Sequence, residues 1–290
     1  MFFQVKHVTR YSYSQPVFCD PLTVRLRPRE DPSQRLLRYR LDIWPEPAGI
    51  SEQTDLAGNA VAVAWFQEVT LSLSVTTTFL VETLNTNPYN FILDPDALRL
   101  PLRTPESLNS LHSLYLHEDQ PSREVRDFAE EIARQANYQT VPFLSSLCTE
   151  IYERTGREVR EHGDAWPAEF TLREARGSCR DFAVLFNAAC RAQGIPARFV
   201  SGYCPAESNP DVLYLHAWSE VYLPGAGWRA FDASRGLAVA DTHVAVAAGR
   251  TPEEAAPTSG TFRGGGRSSL QTQVALSTSD EDPRHKLPAA

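Results

Sequence analysis

A long alternation of apolar and polar side chains is the feature that most constrains the fold of this chain. Residues 69–81 read VTLSLSVTTTFLV, with apolar side chains at nearly every second position. Side chains of a strand point alternately to its two faces, so the segment predicts a long strand with one buried face. Similar runs at 22–27 and 37–43 predict further strands. Several strands at regular spacing indicate an antiparallel β-sandwich in about the first ninety residues.

The pattern changes after a segment rich in Asn, Pro and Asp between residues 85 and 105, which predicts a linker. Beyond it, apolar residues at helical spacing predict a helix from Ser122, an N-cap candidate, to Ala136. Two more helices are expected at 143–152 and 180–193, and Gly194 closes the second. Strands are expected at 197–203, at 214–222, at 228–231 and near 274–276.

Composition and charge exclude several functional classes. The chain has 290 residues, 42% of them hydrophobic, and a net charge of -8, so there is no overall basic field to attract nucleic acid. The N-terminus does not resemble a secretory leader, and no run of about 18 apolar residues would cross a membrane. We therefore expect neither nucleic acid nor a membrane as a partner.

The five cysteines point to a reducing compartment. They are odd in number and widely spaced, unlike a disulfide framework. They form no Cys-x-x-Cys pair and no Cys/His spacing typical of zinc, and no Asp-rich loop resembles a calcium-binding loop. The sequence thus predicts a cytoplasmic protein without a cofactor or a metal.

The segment from Gly177 to Phe182, GSCRDF, predicts a reactive thiol. Cys179 falls in the first turn of the helix that follows. Backbone N–H groups and the helix dipole stabilise an anion there, and the thiolate is the nucleophilic form of cysteine. The same N–H groups could stabilise an oxyanion. Taken alone, such a cysteine is equally consistent with a small buried residue at the start of a helix.

Two later residues complete a catalytic pattern. His216 begins an expected strand, and Asp232 lies on its partner strand. The three side chains fit the roles of nucleophile, base and orienter. Because strand side chains alternate, His216 and Asp232 share a face only if the sum of paired residue numbers is even. A five-residue loop over Leu223–Gly227, which pairs Trp218 with Asp232, or an equivalent bulge would give this register. The two residues would then be diagonal neighbours.

Five residues are candidates for accessory roles in the site. Asp181 suits the helix dipole, and Arg180 could pair with a neighbour or with a substrate carboxylate; a structural role is favoured for both. Tyr203 and Trp166 are candidate wall or oxyanion residues. The remaining candidate is Trp218. Cys190 is expected in the core, Cys204 at a strand end, and His7, His112, His117, His162 and His285 at the surface.

The stretch GSCRDFAVLFNAACRAQGIPARFVSGY, followed by HAWSEVYLPGAGWRAFDAS, resembles the catalytic segment of bacterial transglutaminase-like proteins. The first half is similar to the β-rich domain that often precedes this core, and DLAGN at 55–59 is its clearest mark. Gly58 and Asn59 of this motif suit a positive φ. The resemblance implies catalytic roles for Cys179, His216 and Asp232. In this family a proline follows the catalytic aspartate, whereas Ala233 follows Asp232 here.

These observations predict an α+β protein with a β-sandwich at 1–95, a papain-like or transglutaminase-like catalytic domain at 96–275, and a flexible tail at 276–290. The expected reaction is attack of Cys179 on a glutamine or peptide amide, giving an acyl-thioester. An amine could resolve it, as in transglutamination, or water, as in a protease or amidase. A non-catalytic binding or scaffolding protein remains the alternative from another class. Expected partners are a peptide or protein amide and an amine co-substrate.

Overall fold

The computed structural model describes residues 1–103, 114–116, 121–160, 163–205 and 215–286. The strands of the N-terminal half are β1 (Phe2–Cys19), β2 (Leu22–Val24), β3 (Gln34–Trp44), β4 (Gly49–Thr54), β5 (Ala60–Trp65) and β6 (Val69–Thr83). The helices of the second half are α1 (Arg123–Gln135), α2 (Thr140–Arg154), α3 (Ala168–Glu174) and α4 (Cys179–Ala192). Its strands are β7 (Gly156–Arg157), β8 (Arg176–Gly177), β9 (Ala197–Tyr203), β10 (His216–Leu223), β11 (Gly227–Asp232), β12 (Leu237–Ala238), β13 (Val244–Gly249), β14 (Thr258–Ser259), β15 (Phe262–Arg263) and β16 (Ser268–Ser279).

Two antiparallel sheets form the predicted sandwich. One has the order β15-β1-β6-β3, with β16 also paired to β1, and the other has the order β14-β2-β5-β4. Strand β6 is the long alternating run, and from Leu73 its apolar side chains are buried. The core between the sheets takes Val17 and Val75 from the first sheet and Val24 and Ala64 from the second. The alternation therefore encodes the buried face, as predicted.

The second half is built on a five-stranded sheet with the order β12-β11-β10-β9-β13. Helix α4 packs on β9 and β10, and its apolar face joins the main core through Phe182, Leu185 and Phe186. Ser122 caps α1 by accepting from the backbone N–H of Val125. Gly194 has a φ of 74°, which lets the chain reverse after α4. Within the described ranges, no helix has the length and apolarity that a membrane crossing needs.

The end of the chain returns to the N-terminal half. Strand β16 pairs antiparallel with β1 from Phe2↔Ser279 to Tyr13↔Ser268. The expected boundary at residue 275 therefore falls inside a strand, and residues 276–279 of the expected tail are paired. A 3-10 helix, Pro283–Lys286, follows. The sequence predicted only residues 274–276 of β16, because this strand is largely exposed and gains its hydrogen bonds from β1 near the other end of the chain. The division into domains stays a prediction.

Two side-chain amides of the N-terminal half bind β13, the outer strand of the five-stranded sheet. The side chain of Gln34 accepts from the backbone N–H of Ala245 at 2.8 Å and donates to its carbonyl at 2.8 Å. Asn59 makes the same pair of bonds with Ala248, at 2.7 and 2.8 Å. Each amide thus replaces one residue of a neighbouring strand, and together they hold β13 against the sandwich.

Asn59 and His7 differ from expectation. Gly58 has a φ of 82°, as expected, but Asn59 is outside the positive-φ region. Its side chain is buried and bonds both to Ala248 and to the Asp55 carboxylate, so Asn59 closes the turn and also docks β13. His7 was expected at the surface but is buried and bonded to the Tyr203 hydroxyl. Strand β1 is covered on one face by the second half of the protein, which its local pattern does not reveal. His112, His117 and His162 and the side chain of His285 lie outside the described residues.

Candidate active site

Cys179 is the first residue of helix α4, where the sequence predicted it. The residue before the helix, Ser178, is held by Asp181, whose Oδ2 accepts from the Ser178 backbone N–H and hydroxyl, both at 2.7 Å. Gly177 leaves room for this contact, because a Cβ there would lie 3.0 Å from the Cβ of Asp181. Cys179 is partly exposed. The helix start is therefore rigid while its thiol remains accessible.

Asp181 and Arg180, which we expected to be structural, have structural contacts. The fully buried Asp181 also accepts through Oδ1 from the Trp166 backbone N–H at 2.7 Å and from Arg160 at 2.6 Å. The Arg160 guanidinium lies over the Trp166 ring, 4.2 Å from its centre. Arg180 donates to the carbonyl of Arg160 at 2.6 Å. These bonds tie the segment before α3 to the first turn of α4.

The hairpin of β10 and β11 has the register that the alternation required. Ser219 pairs with Phe231 and Leu223 with Gly227, so Trp218 stands opposite Asp232. The turn runs through Pro224, Gly225 and Ala226, and Gly225 has a φ of 84°. His216 and Asp232 consequently lie on one face of the sheet as diagonal neighbours.

The three predicted catalytic side chains lie where β10 begins, β11 ends and α4 begins. Nε2 of His216 lies 2.7 Å from Oδ2 of Asp232. The imidazole also interacts electrostatically with Cys179. Since Nε2 already contacts Asp232, the nitrogen left to face the thiol is Nδ1. His216 keeps 15% of its side chain exposed, whereas Asp232 is fully buried. Cys179 and His216 are therefore partly exposed to solvent, and Asp232 is shielded from it.

The electrostatics of the three groups favour an ionised cysteine. Burial opposes ionisation of the thiol, but the charge on His216 and hydrogen bonds from His216 and the Ala217 backbone outweigh it, so the pKa of Cys179 is lowered. Burial likewise disfavours a charged imidazole, but Asp232 and then Cys179 raise the pKa of His216 well above its ordinary value. Burial also opposes a charged Asp232, and His216 and His243 overcome this and lower its pKa. These shifts favour a thiolate–imidazolium pair over a neutral thiol and imidazole.

Asp232 has further partners that sequence reasoning missed. His243 Nε2 lies 3.0 Å from Oδ2, the oxygen that also contacts His216. The other oxygen, Oδ1, accepts from the Ser234 backbone N–H at 2.9 Å and hydroxyl at 2.7 Å. Burial lowers the pKa of His243, so it is a neutral donor. In the sequence, the one sign of this role is that His243 directly precedes the apolar segment 244–249. This position indicates a histidine at the start of a buried strand.

Trp218 and Tyr203 occupy different environments. Trp218 is buried beneath the site; its ring stacks with His216 at 6.2 Å between centres and meets the edge of His243 at 5.1 Å. It lies over Gly202, where a Cβ would come within 2.5 Å of the indole. Tyr203 is fully buried, and its hydroxyl lies 2.5 Å from Nδ1 of His7. It therefore does not face the thiol, and the wall or oxyanion role expected for it is wrong.

The remaining cysteines lie as their positions suggested. Cys190 is buried in the main core, and Cys204 is buried directly after β9. All five cysteines are free. A sulfur and two ring nitrogens, from Cys204, His216 and His243, lie within 4.8 Å of one another and could hold a metal ion. Linear spacing did not indicate this group, because its members are drawn from three strands.

Comparisons with known proteins agree with this architecture. A family model described as the bacterial transglutaminase-like N-terminal region matches residues 3–82, and a model of the transglutaminase-like superfamily matches residues 120–233. An uncharacterised protein of Mycobacterium tuberculosis is 28% identical over 276 residues, which cover 89% of this chain and 86% of that protein. An uncharacterised protein of Mycobacterium leprae is 26% identical over 291 residues, which cover 94% of this chain and 97% of that protein.

Two further proteins bear on the fold and on the chemistry. The crystal structure of a cysteine protease candidate from Cytophaga hutchinsonii has a TM-score of 0.69 at 23% identity and covers 98% of this chain and 93% of its own, which shows a shared fold. A protein-glutamine gamma-glutamyltransferase of Pseudomonas aeruginosa is 38% identical over 71 residues, 22% of this chain and 11% of that enzyme. With both family models matched in order, this chain belongs to the transglutaminase-like superfamily, and its second half has the fold of that superfamily.

Proposed function

We propose that this protein is a thiol acyltransferase that acts on a glutamine or peptide amide through Cys179, His216 and Asp232. The observation that carries the proposal is the 2.7 Å contact between Nε2 of His216 and Oδ2 of Asp232, with the same imidazole interacting electrostatically with Cys179. A structural ion pair would not need a partly exposed thiol at a helix N-terminus. A scaffolding role would not preserve all three groups in contact.

The first half-reaction forms an acyl-enzyme. The Cys179 sulfur attacks the amide carbonyl carbon, and the resulting oxyanion lies near the positive end of helix α4. The carbon–nitrogen bond then breaks, and His216 passes the proton that it took from the thiol to the leaving amine or ammonia. The product is a thioester on Cys179. Asp232 keeps the imidazole oriented and stabilises its positive charge.

The second half-reaction releases the acyl group. His216 removes a proton from an amine or a water molecule as it attacks the thioester, and the sulfur leaves and recovers a proton. An amine gives acyl transfer, and water gives hydrolysis. The name of the Pseudomonas relative supports transfer of a γ-glutamyl group. The partners that we propose are a peptide or protein amide and a primary amine, and a cytoplasmic location stays a prediction supported by the five free thiols.

Cys179 should be the fastest of the five thiols to react with iodoacetamide at pH 7. Burial raises the pKa of Cys19, Cys148 and Cys190, whereas that of Cys179 is lowered. Peptide mass spectrometry during the reaction measures the order of labelling. Cys179→Ala should remove the fast phase. Faster labelling of Cys148 or Cys204 in the native protein would contradict the assignment of the nucleophile.

The reaction itself is tested with a glutamine-containing peptide and a fluorescent primary amine. We expect a thioester adduct on Cys179 by mass spectrometry, followed by amine incorporation. A water-only product would reduce the proposal to a hydrolase. The absence of an adduct and of product with a broad panel of peptides, in a protein whose Cys179 is reactive, would favour the scaffolding alternative.

His243 should act as a positioning residue for Asp232. His243→Leu removes one donor from a buried carboxylate, and a hydrogen bond to a charged group contributes about 1.5–3 kcal/mol, so we expect kcat to fall about tenfold or more with little change in KM. His243→Gln offers an amide N–H in its place and should restore most of the rate. Equal losses in both variants, with unchanged thermal unfolding, would argue against this role.

A further inference from the structure

Three donor side chains that are distant in sequence meet behind the Cys179–His216 pair. The sulfur of Cys204 and one ring nitrogen each of His216 and His243 lie within 4.8 Å of one another. Cys204 directly follows β9, His216 begins β10, and His243 directly precedes β13. Because β9 lies between β10 and β13 in the sheet, the three residues occupy neighbouring strand ends.

The donor set matches the preference of zinc. Zn²⁺ binds cysteine sulfur at about 2.3 Å and histidine nitrogen at about 2.0–2.1 Å in a tetrahedral arrangement, whereas Ca²⁺ and Mg²⁺ prefer oxygen ligands. These bond lengths put the ligand atoms of a tetrahedral site roughly 3.4–3.7 Å apart. The donor atoms here need to approach one another by about 1 Å, which small side-chain rotations supply.

The surroundings complete such a site. Oδ2 of Asp232 lies 2.7 and 3.0 Å from Nε2 of His216 and His243, so a carboxylate stands beside the position and would offset the charge of the ion. Nδ1 of His243 lies 2.9 Å from the Thr242 hydroxyl, which fixes the ring, so Nε2 is the nitrogen that would bind the metal in place of its hydrogen bond to Asp232. Cys204 is buried, and the exposed edge of His216 gives a route from solvent.

We propose that Cys204, His216 and His243 bind Zn²⁺ and that the bound ion switches the enzyme off. Binding would release the thiol proton of Cys204 and the extra proton of the His216 imidazolium to solvent, His243 would move its proton from Nε2 to Nδ1, and both histidines would bind as neutral imidazoles. His216 cannot coordinate a metal and still exchange a proton with Cys179 while bonded to Asp232. Metal binding is independent of the proposed function, whereas the inhibition rests on it.

Cobalt substitution reports the ligands directly, without any activity. Co²⁺ added to the metal-free protein should give intense visible bands of tetrahedral coordination and a sulfur-to-cobalt charge-transfer band. Cys204→Ser should abolish the charge-transfer band, whereas Cys179→Ala and the remote control Cys19→Ser should keep it. If folding of the Cys204 variant is impaired, His243→Gln should weaken Zn²⁺ binding at least tenfold by titration calorimetry. A band that disappears only in Cys179→Ala, or no binding at micromolar Zn²⁺, would overturn the site.

Inhibition is measured separately. Micromolar Zn²⁺ should suppress amine incorporation by the wild-type protein, and EDTA should restore it. Cys204→Ser should require at least tenfold more Zn²⁺ for half inhibition, with each protein measured against its own rate in EDTA. Equal sensitivity of the two proteins would overturn the proposal. Cobalt binding through Cys204 in a protein without amide-directed activity would retain the metal site and refute the proposed function instead.

Discussion

Asp232→Asn is expected to lower kcat by about a thousandfold or more while the protein stays folded. The new amide can keep its oxygen towards Ser234, which leaves its NH2 group facing the ring nitrogens of His216 and His243. An NH2 group only donates, so Nε2 of His216 must become the acceptor and Nδ1 then carries the proton. Nδ1 can no longer take the proton of Cys179. The corresponding change in a Ser-His-Asp protease costs about ten-thousandfold.

Steady-state kinetics with the glutamine peptide measures this loss, and thermal unfolding verifies the fold. Ser234→Ala is a matched control, since it removes one hydroxyl from the same carboxylate and preserves the charge. We expect it to cost about tenfold or less. If Asp232→Asn retained more than a tenth of the wild-type rate, the carboxylate would not set the tautomer of His216.

Glu220→Gln is expected to lower the free energy of unfolding by about 3–5 kcal/mol near neutral pH. Glu220 is buried and accepts from Arg198 at 2.7 Å and from Arg29 at 3.1 Å. Arg29 comes from the segment between β2 and β3, so the carboxylate joins the sandwich to strand β10. Removing its charge leaves the nearly buried Arg198 without its carboxylate partner and Arg29 with only Asp31 at 3.2 Å, which costs more than the loss of a pair at the surface.

The effect should depend on pH. Burial opposes ionisation of Glu220, but Arg198 and then Arg29 outweigh it and lower its pKa from 4.5 to about 2. A depressed folded-state pKa contributes stability that is complete above the unfolded-state pKa and is lost as pH falls towards the folded-state pKa. The difference between wild type and Glu220→Gln should therefore be full above about pH 5 and shrink between about pH 4.5 and 2.

Urea unfolding at a series of pH values measures this difference. Glu82→Gln is the matched control, because Glu82 pairs with Arg35, whose side chain is 59% exposed. Surface pairs contribute about 0–1 kcal/mol, so we expect little change in that variant. A Glu220 variant as stable as the wild type at pH 7 would mean that the buried network contributes no net stability.

Local pattern determined much of the fold and of the candidate site. The alternation in β6 encodes a strand with one buried face, and helical spacing encodes α1 and α4. A cysteine at a helix start, together with the parity of the 216–232 hairpin, sufficed to place Cys179, His216 and Asp232 beside one another. These features depend on periodicity and turn geometry over about twenty residues, which a single sequence displays.

Other features were decided only by the tertiary structure. His7 and Tyr203, Asn59 and Ala248, and strands β1 and β16 meet across roughly 190 to 280 residues of chain. His243 reaches Asp232 because β13 lies against β9, and Cys204 joins both histidines for the same reason. The position of a polar side chain at such a contact follows no periodic pattern in the sequence. Its burial and its hydrogen-bond partner are set by the packing of the two halves, and this packing depends on surfaces that exist only after each half has folded.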